Sequence, residues 1–132
     1  MKTRMIWANL ISRNLEVTSK FYSDLGFKQN GKHNSADLVS FSFGDSNFVI
    51  NFFTESGLKM GKDGKWVDAK RENEVLFSLS ADSREEVDQW VEKVKSAGAT
   101  IFEAPQNFEQ GYTFGFADPD GHKYNILYWP GM

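Results

Sequence analysis

Residues 74–98 read EVLFSLSADSREEVDQWVEKVKSAG. Val75, Phe77 and Leu79 alternate with smaller or polar neighbours, the period of a strand with one buried face. Ser83-Arg84-Glu85-Glu86 matches a capping box, which predicts that the Ser83 hydroxyl takes the Glu86 amide and the Glu86 carboxylate takes the Ser83 amide. Val87, Trp90, Val91 and Val94 then fall at i, i+3, i+4 and i+7, one apolar stripe on a helix running to about Ala97. Gly98 ends it. This stretch is therefore a strand followed by a capped helix.

Toward the C-terminus the pattern predicts three strands, at 100–104, 111–117 and 122–129. Asp118-Pro119-Asp120-Gly121 joins the last two: proline presets φ, aspartate caps locally and glycine supplies positive φ. The same order occurs at the start of the chain. A strand over 4–11 precedes Asn14, which caps a helix to about Leu25 with Leu15, Phe21, Tyr22 and Leu25 toward one side. Gly26 stops it. Strands over 27–33, 37–43 and 47–53 follow, the last two joined by Gly44-Asp45-Ser46. Phe41 and Phe43 alternate with Ser40 and Ser42.

The chain thus reads β-α-β-β-β twice, at about 4–53 and 74–129. The expected fold is α+β, a single domain over 1–132. Two tandem modules form curved mixed sheets around a cavity, with the helices on the outer faces. Residues 54–73 hold Gly57, Gly61, Gly64 and five lysines or arginines, and read as a linker or a lid.

Composition narrows the function. The 132 residues are 40% apolar, enough for a core, and 15 Lys+Arg against 18 Asp+Glu give a net charge of −3. That balance argues against nucleic acid and against a polybasic membrane surface. No cysteine is present, so thiolate metal sites and cysteine nucleophiles are excluded. With only His33 and His122, so is a histidine-rich cage. No secretory signal pattern or membrane-length apolar run is visible, and a cytoplasmic location is expected.

The ordering of elements, the Asp24-Leu25-Gly26-Phe27 helix end and the Asp118-Pro119-Asp120-Gly121-His122 turn resemble the vicinal oxygen chelate superfamily. So do Leu10-Ile11-Ser12-Arg13-Asn14-Leu15 and Ala81-Asp82-Ser83-Arg84-Glu85-Glu86-Val87-Asp88, the latter like a subgroup known only as glyoxalase-like. The superfamily includes glyoxalase I, extradiol dioxygenases, and fosfomycin and bleomycin resistance proteins. The resemblance covers nearly the whole chain. It implies a divalent metal held by His or Gln on the first strand of a module and Glu on its last.

Carried over, those positions fall on Trp7, Asn51, Leu76 and Asn125. Indole and an alkyl group offer no donor atom, and asparagine offers one neutral oxygen, so no metal cofactor is expected. A register slip that exchanged Leu76 for Glu74 would add one carboxylate.

The expected site is a cavity lined by Trp7, Asn9, Asn51, Leu76 and Asn125. Phe53 lies beside Asn51 and Leu127 beside Asn125, and Tyr112, Phe114 and Phe116 alternate toward the same space. Flat rings and amides suit a planar or aromatic organic ligand. Lys123 at the mouth is a partner for an anion or a solvated lysine. Trp7 is a stacking surface or core filling. Asn51 and Asn125 orient a ligand or bond to each other or to water. His122 reads as a turn residue, His33 as a solvated strand end, and Glu85, Asp88 and Glu92 as the wet side of the second helix. Glu55 and Glu103 are possible bases that nothing places near the cavity.

Three functions stay open: a metal-free small-molecule binder, a divalent-metal-dependent lyase or dioxygenase with atypical ligands, and a non-catalytic interaction module. The residues lean away from an enzyme. The expected partners are a small molecule and a second copy in a homodimer.

Overall fold

Asn14 starts the first helix as its composition requires: the side-chain oxygen accepts from the Val17 amide at 3.1 Å. In a computed structural model, which describes residues 1–59 and 65–131, the chain divides into two compact units, Met1–Val67 and Asp68–Met132. The first contains β1 (Trp7–Ile11), α1 (Leu15–Asp24), β2 (Lys28–Gln29), a 3-10 turn at Gly31–His33, β3 (Leu38–Phe43) and β4 (Phe48–Phe53). Its sheet runs β1-β4-β3-β2, with β1 parallel to β4 and the remaining pairs antiparallel.

Register decides which side chains α1 covers. Pairing of Ala8 with Ile50 and Phe41, and of Leu10 with Phe52 and Val39, puts these residues on one face. The Tyr22 ring of α1 meets it, with centroids 4.7 Å from Phe52, 5.6 Å from Phe41 and 5.8 Å from Phe43. Phe41 and Phe52 are fully buried, a gain of about 2–3 kcal/mol for each ring. The opposite face, which α1 does not cover, carries the rows Trp7-Val49-Ser42-Lys28, Asn9-Asn51-Ser40 and Ile11-Phe53-Leu38.

The strand expected over 27–33 is cut short. After Gln29 the chain stays beside β3 through the Asn30 amide on the Ser40 carbonyl at 2.8 Å, then turns, His33 N–H donating to the Asn30 carbonyl at 3.0 Å. His33 therefore sits on a 3-10 turn and not at a strand end.

The second unit contains β5 (Leu76–Ala81), α2 (Arg84–Ser96), β6 (Thr100–Phe108), β7 (Gly111–Ala117) and β8 (Lys123–Tyr128). Its sheet order β5-β8-β7-β6 repeats the first unit, with β5 parallel to β8. Ser83 caps α2, accepting from the Glu86 amide at 3.1 Å. The return bond differs from expectation: the Glu86 carboxylate accepts from the Asp82 amide at 2.6 Å, one residue earlier than the Ser83 amide. Strand β6 runs past Ala104 to Phe108. Pro105 is tolerated because β6 is an edge strand and the register shifts around it, between Ile101 and Glu103 and again before Gln106.

The two described ends of the 54–73 connector are anchored. Thr54 N–H donates to the Asp37 carbonyl and Thr54 Oγ1 to the Asp37 carboxylate at 2.8 Å, with Leu58 buried beyond them. In the second unit the stretch around Ala69 and Lys70 lies against Gly121, where an added Cβ would stand 2.5 Å from the Lys70 nitrogen. The lid reading of 54–73 falls partly on residues 60–64, outside the described residues. Among the described residues, no helix is long and apolar enough to cross a membrane.

Candidate functional site

On the first sheet, the face away from α1 forms a concavity of about 420 Å³. Its floor is polar because Ser40 and Ser42 occupy the alternate positions to Phe41 and Phe43. Asn30 ties the two serines together: its side-chain nitrogen donates to Ser40 Oγ at 3.2 Å and its oxygen accepts from Ser42 Oγ at 3.0 Å. The Ser40 amide donates in turn to the Asn34 side chain. Beside this strip, Asn51 Nδ2 donates to Asn9 Oδ1 at 3.1 Å, since the parallel register sets the two asparagines opposite each other. Trp7 lines the same concavity and is 55% exposed, which overturns the core-filling reading. Lys28, from the edge strand, and His33, from the 3-10 turn, complete one side.

On the second sheet, the corresponding face carries Ser78, Asn125 and Thr113. Ser78 Oγ donates to Asn125 Oδ1 at 2.6 Å, and Asn125 Nδ2 donates to Thr113 Oγ1 at 2.9 Å. Thr113 Oγ1 donates onward to the Ile126 carbonyl. The asparagine is thus held at both ends. Leu76 lies on this face, exposed, paired with Lys123. The Lys123 ammonium is engaged by the Gly121 carbonyl at 2.7 Å and the Ala69 carbonyl at 3.2 Å. It anchors the connector, so the solvated-lysine reading does not hold.

Three expected site residues lie elsewhere. Asn125 pairs with Gly115, so Phe114, paired with Ile126, points to the opposite face and is buried there. Phe116 follows it. Tyr112 also lies on the α2 side, its hydroxyl donating to the Asp88 carboxylate at 2.8 Å. That bond, with some desolvation and the charge of Asp88, pushes the phenol above its ordinary 10.0. The aromatic ring that does reach the Asn125 face is Phe102. The register shift at Ile101/Glu103 frees it to lie over Gly115, where an added Cβ would collide with the ring. Glu74 precedes β5 and is exposed; with Leu76 set against Lys123 and Ser78 against Asn125, it is not in the Asn125 row. Phe53 stands half-buried in the row beside Asn51.

Glu103 accepts from the Gln106 side chain, and Glu55 is exposed on the Thr54 turn. Asp118, Asp120 and His122 bring ligand atoms within 4.8 Å of one another. Asp118 Oδ1 there accepts from the amides of Asp120 at 3.0 Å and His122 at 2.9 Å, the bonding of a closed turn.

A protein-family model described as the Glyoxalase/Bleomycin resistance protein/Dioxygenase superfamily matches residues 4–126. The chain belongs to this superfamily. Solved structures agree on the fold. The hypothetical protein SA1046 from S. aureus is 30% identical, with a TM-score of 0.77, over 98% of this chain and 96% of that one. A glyoxalase-related enzyme from Fulvimarina pelagi is 20% identical, with a TM-score of 0.80, over 96% and 88%. The fosfomycin resistance protein FosX from Mesorhizobium loti is 17% identical, with a TM-score of 0.69, over 99% and 96%. No curated protein matches.

The superfamily implies a divalent metal on the sheet faces, and the donor set here does not fit one. The strand positions in question hold Trp7, Leu76 and two asparagines. Asn125 Oδ1, its one ligating atom, already accepts from Ser78. Asn9 Oδ1 already accepts from Asn51. That leaves Asn51 Oδ1 as one open, neutral amide oxygen, and a single uncharged donor does not repay the dehydration of a divalent ion.

Proposed function

We propose that this superfamily member binds a small, planar organic molecule on its open sheet face and holds it without a metal. The observation that carries this reading is the Asn51 amide, oriented by its bond to Asn9 and set beside a half-exposed Trp7 in a concavity of about 420 Å³. A volume of that size is within the range of small-molecule sites. The indole offers a flat apolar surface, and the amides and serines offer oriented donors and acceptors without charge. Such a wall can fix a ligand.

Tryptophan fluorescence provides the test. The purified chain in excess chelator is titrated with two-ring aromatic compounds. Saturable quenching that persists in chelator and is lost in Trp7→Leu supports the reading. Binding that requires an added divalent ion contradicts it.

A further inference from the structure

The concavity on the first sheet is lined from every side by groups that are neutral or cationic. Lys28 and His33 stand on one flank, the Asn30-Ser40-Ser42 strip forms the floor, and among the described residues no carboxylate lines it. This is notable in a chain of net charge −3. Lys28 is exposed on the edge strand and, among the described residues, is not in an ion pair of the kind seen for Lys20–Asp24, Arg71–Asp68 and Lys95–Glu92. Elsewhere in the first unit, the Asp24 carboxylate is held by Lys20 at 2.6 Å and the Asp37 carboxylate by Thr54. The polar strip is built in advance of any ligand. Asn30 is fixed by both serines, and Ser40 is fully buried.

We propose that the ligand of this concavity is a planar organic acid, its carboxylate met by the Lys28 ammonium and the His33 imidazole and its ring by the Trp7 indole. This rests on the small-molecule reading above and adds the charge of the ligand. A carboxylate matches one ammonium point charge and the imidazole and hydroxyl donors beside it. A cationic ligand would meet Lys28 unscreened by any acid. A neutral one would leave the ammonium without a partner.

The test compares 1-naphthoate with 1-naphthamide, the same ring system with and without the charge, by calorimetry at low and high salt. The acid is expected to bind more tightly than the amide, and only the acid to weaken as salt rises. In Lys28→Met the affinity for the acid falls roughly three- to fivefold, the scale of an exposed ion pair, and its salt dependence flattens. Lys20→Met, on the outer face of α1, leaves both unchanged. Equal binding of acid and amide overturns the charge assignment and leaves the small-molecule reading standing. So does a preference for the acid that Lys28→Met does not alter. No binding of either probe at millimolar concentration overturns both.

Discussion

Asn51 lies directly opposite Asn9 across the parallel β1–β4 pair, and their side chains are joined by a hydrogen bond of 3.1 Å. The bond orients both amides on the open face of the first sheet. It also leaves Asn51 with a carbonyl oxygen for a second partner.

Asn51→Leu is expected to lower the affinity for 1-naphthoate roughly tenfold, the cost of one unmade, oriented hydrogen bond. The melting temperature should move little, because water can replace the lost partner on this exposed face. Unchanged affinity in calorimetry would show that the amide only ties β1 to β4.

Gly121 and Gly98 share a φ of +99°, but their surroundings differ. A Cβ at Gly98 meets nothing within 4 Å, whereas one at Gly121 meets backbone atoms of Ala69 and Lys70 at 2.7 and 2.5 Å. Gly98→Ala should cost about 1 kcal/mol from the backbone conformation alone. Gly121→Ala should cost about 3 kcal/mol, because backbone cannot step aside as a side-chain tip can. Denaturant unfolding of the two variants checks the order. Equal losses would mean that the connector does not pack on this turn.

The raised phenol of Tyr112 has a defined sign in stability. A raised value means that the folded chain holds the proton more tightly than the unfolded chain. The contribution of the Tyr112–Asp88 bond is therefore full below pH 10.0 and lost as pH rises through the folded value. Tyr112→Phe should melt below the parent at neutral pH, and the gap should close in alkaline solution. A gap that widens above pH 10.0 would contradict this assignment.

The elements legible in the sequence were those whose signals are local. Asn14 and Ser83 marked the helix starts, Gly26 and Gly98 their ends, and the Asp118-Pro119-Asp120-Gly121 turn the return into β8. The open face of the first sheet was half legible: the Ser40/Ser42 alternation marked it, but the part of Asn30 in bonding both serines depends on the fold. What escaped was strand parity. Phe114 and Phe116 alternate as cleanly as cavity residues would, and only the pairing of Gly115 with Asn125 turns them toward α2. Gly115 itself was the available signal, a bare position on the open face that a ring from elsewhere covers. Phe102 is that ring, and a register shift in β6 breaks the alternation that would have pointed to it. The place of His33 is not legible because a two-residue strand followed by a 3-10 turn leaves no periodic trace.

The most direct measurement of the metal-free account is a calorimetric titration of chelator-treated protein with Zn²⁺, Ni²⁺, Mn²⁺ and Fe²⁺ in turn, with the melting temperature followed in parallel. The account predicts no saturable one-per-chain binding at the asparagine seats and no rise in melting temperature. One tightly held equivalent that stabilises the fold and is lost in Asn51→Leu or Asn125→Leu would contradict it.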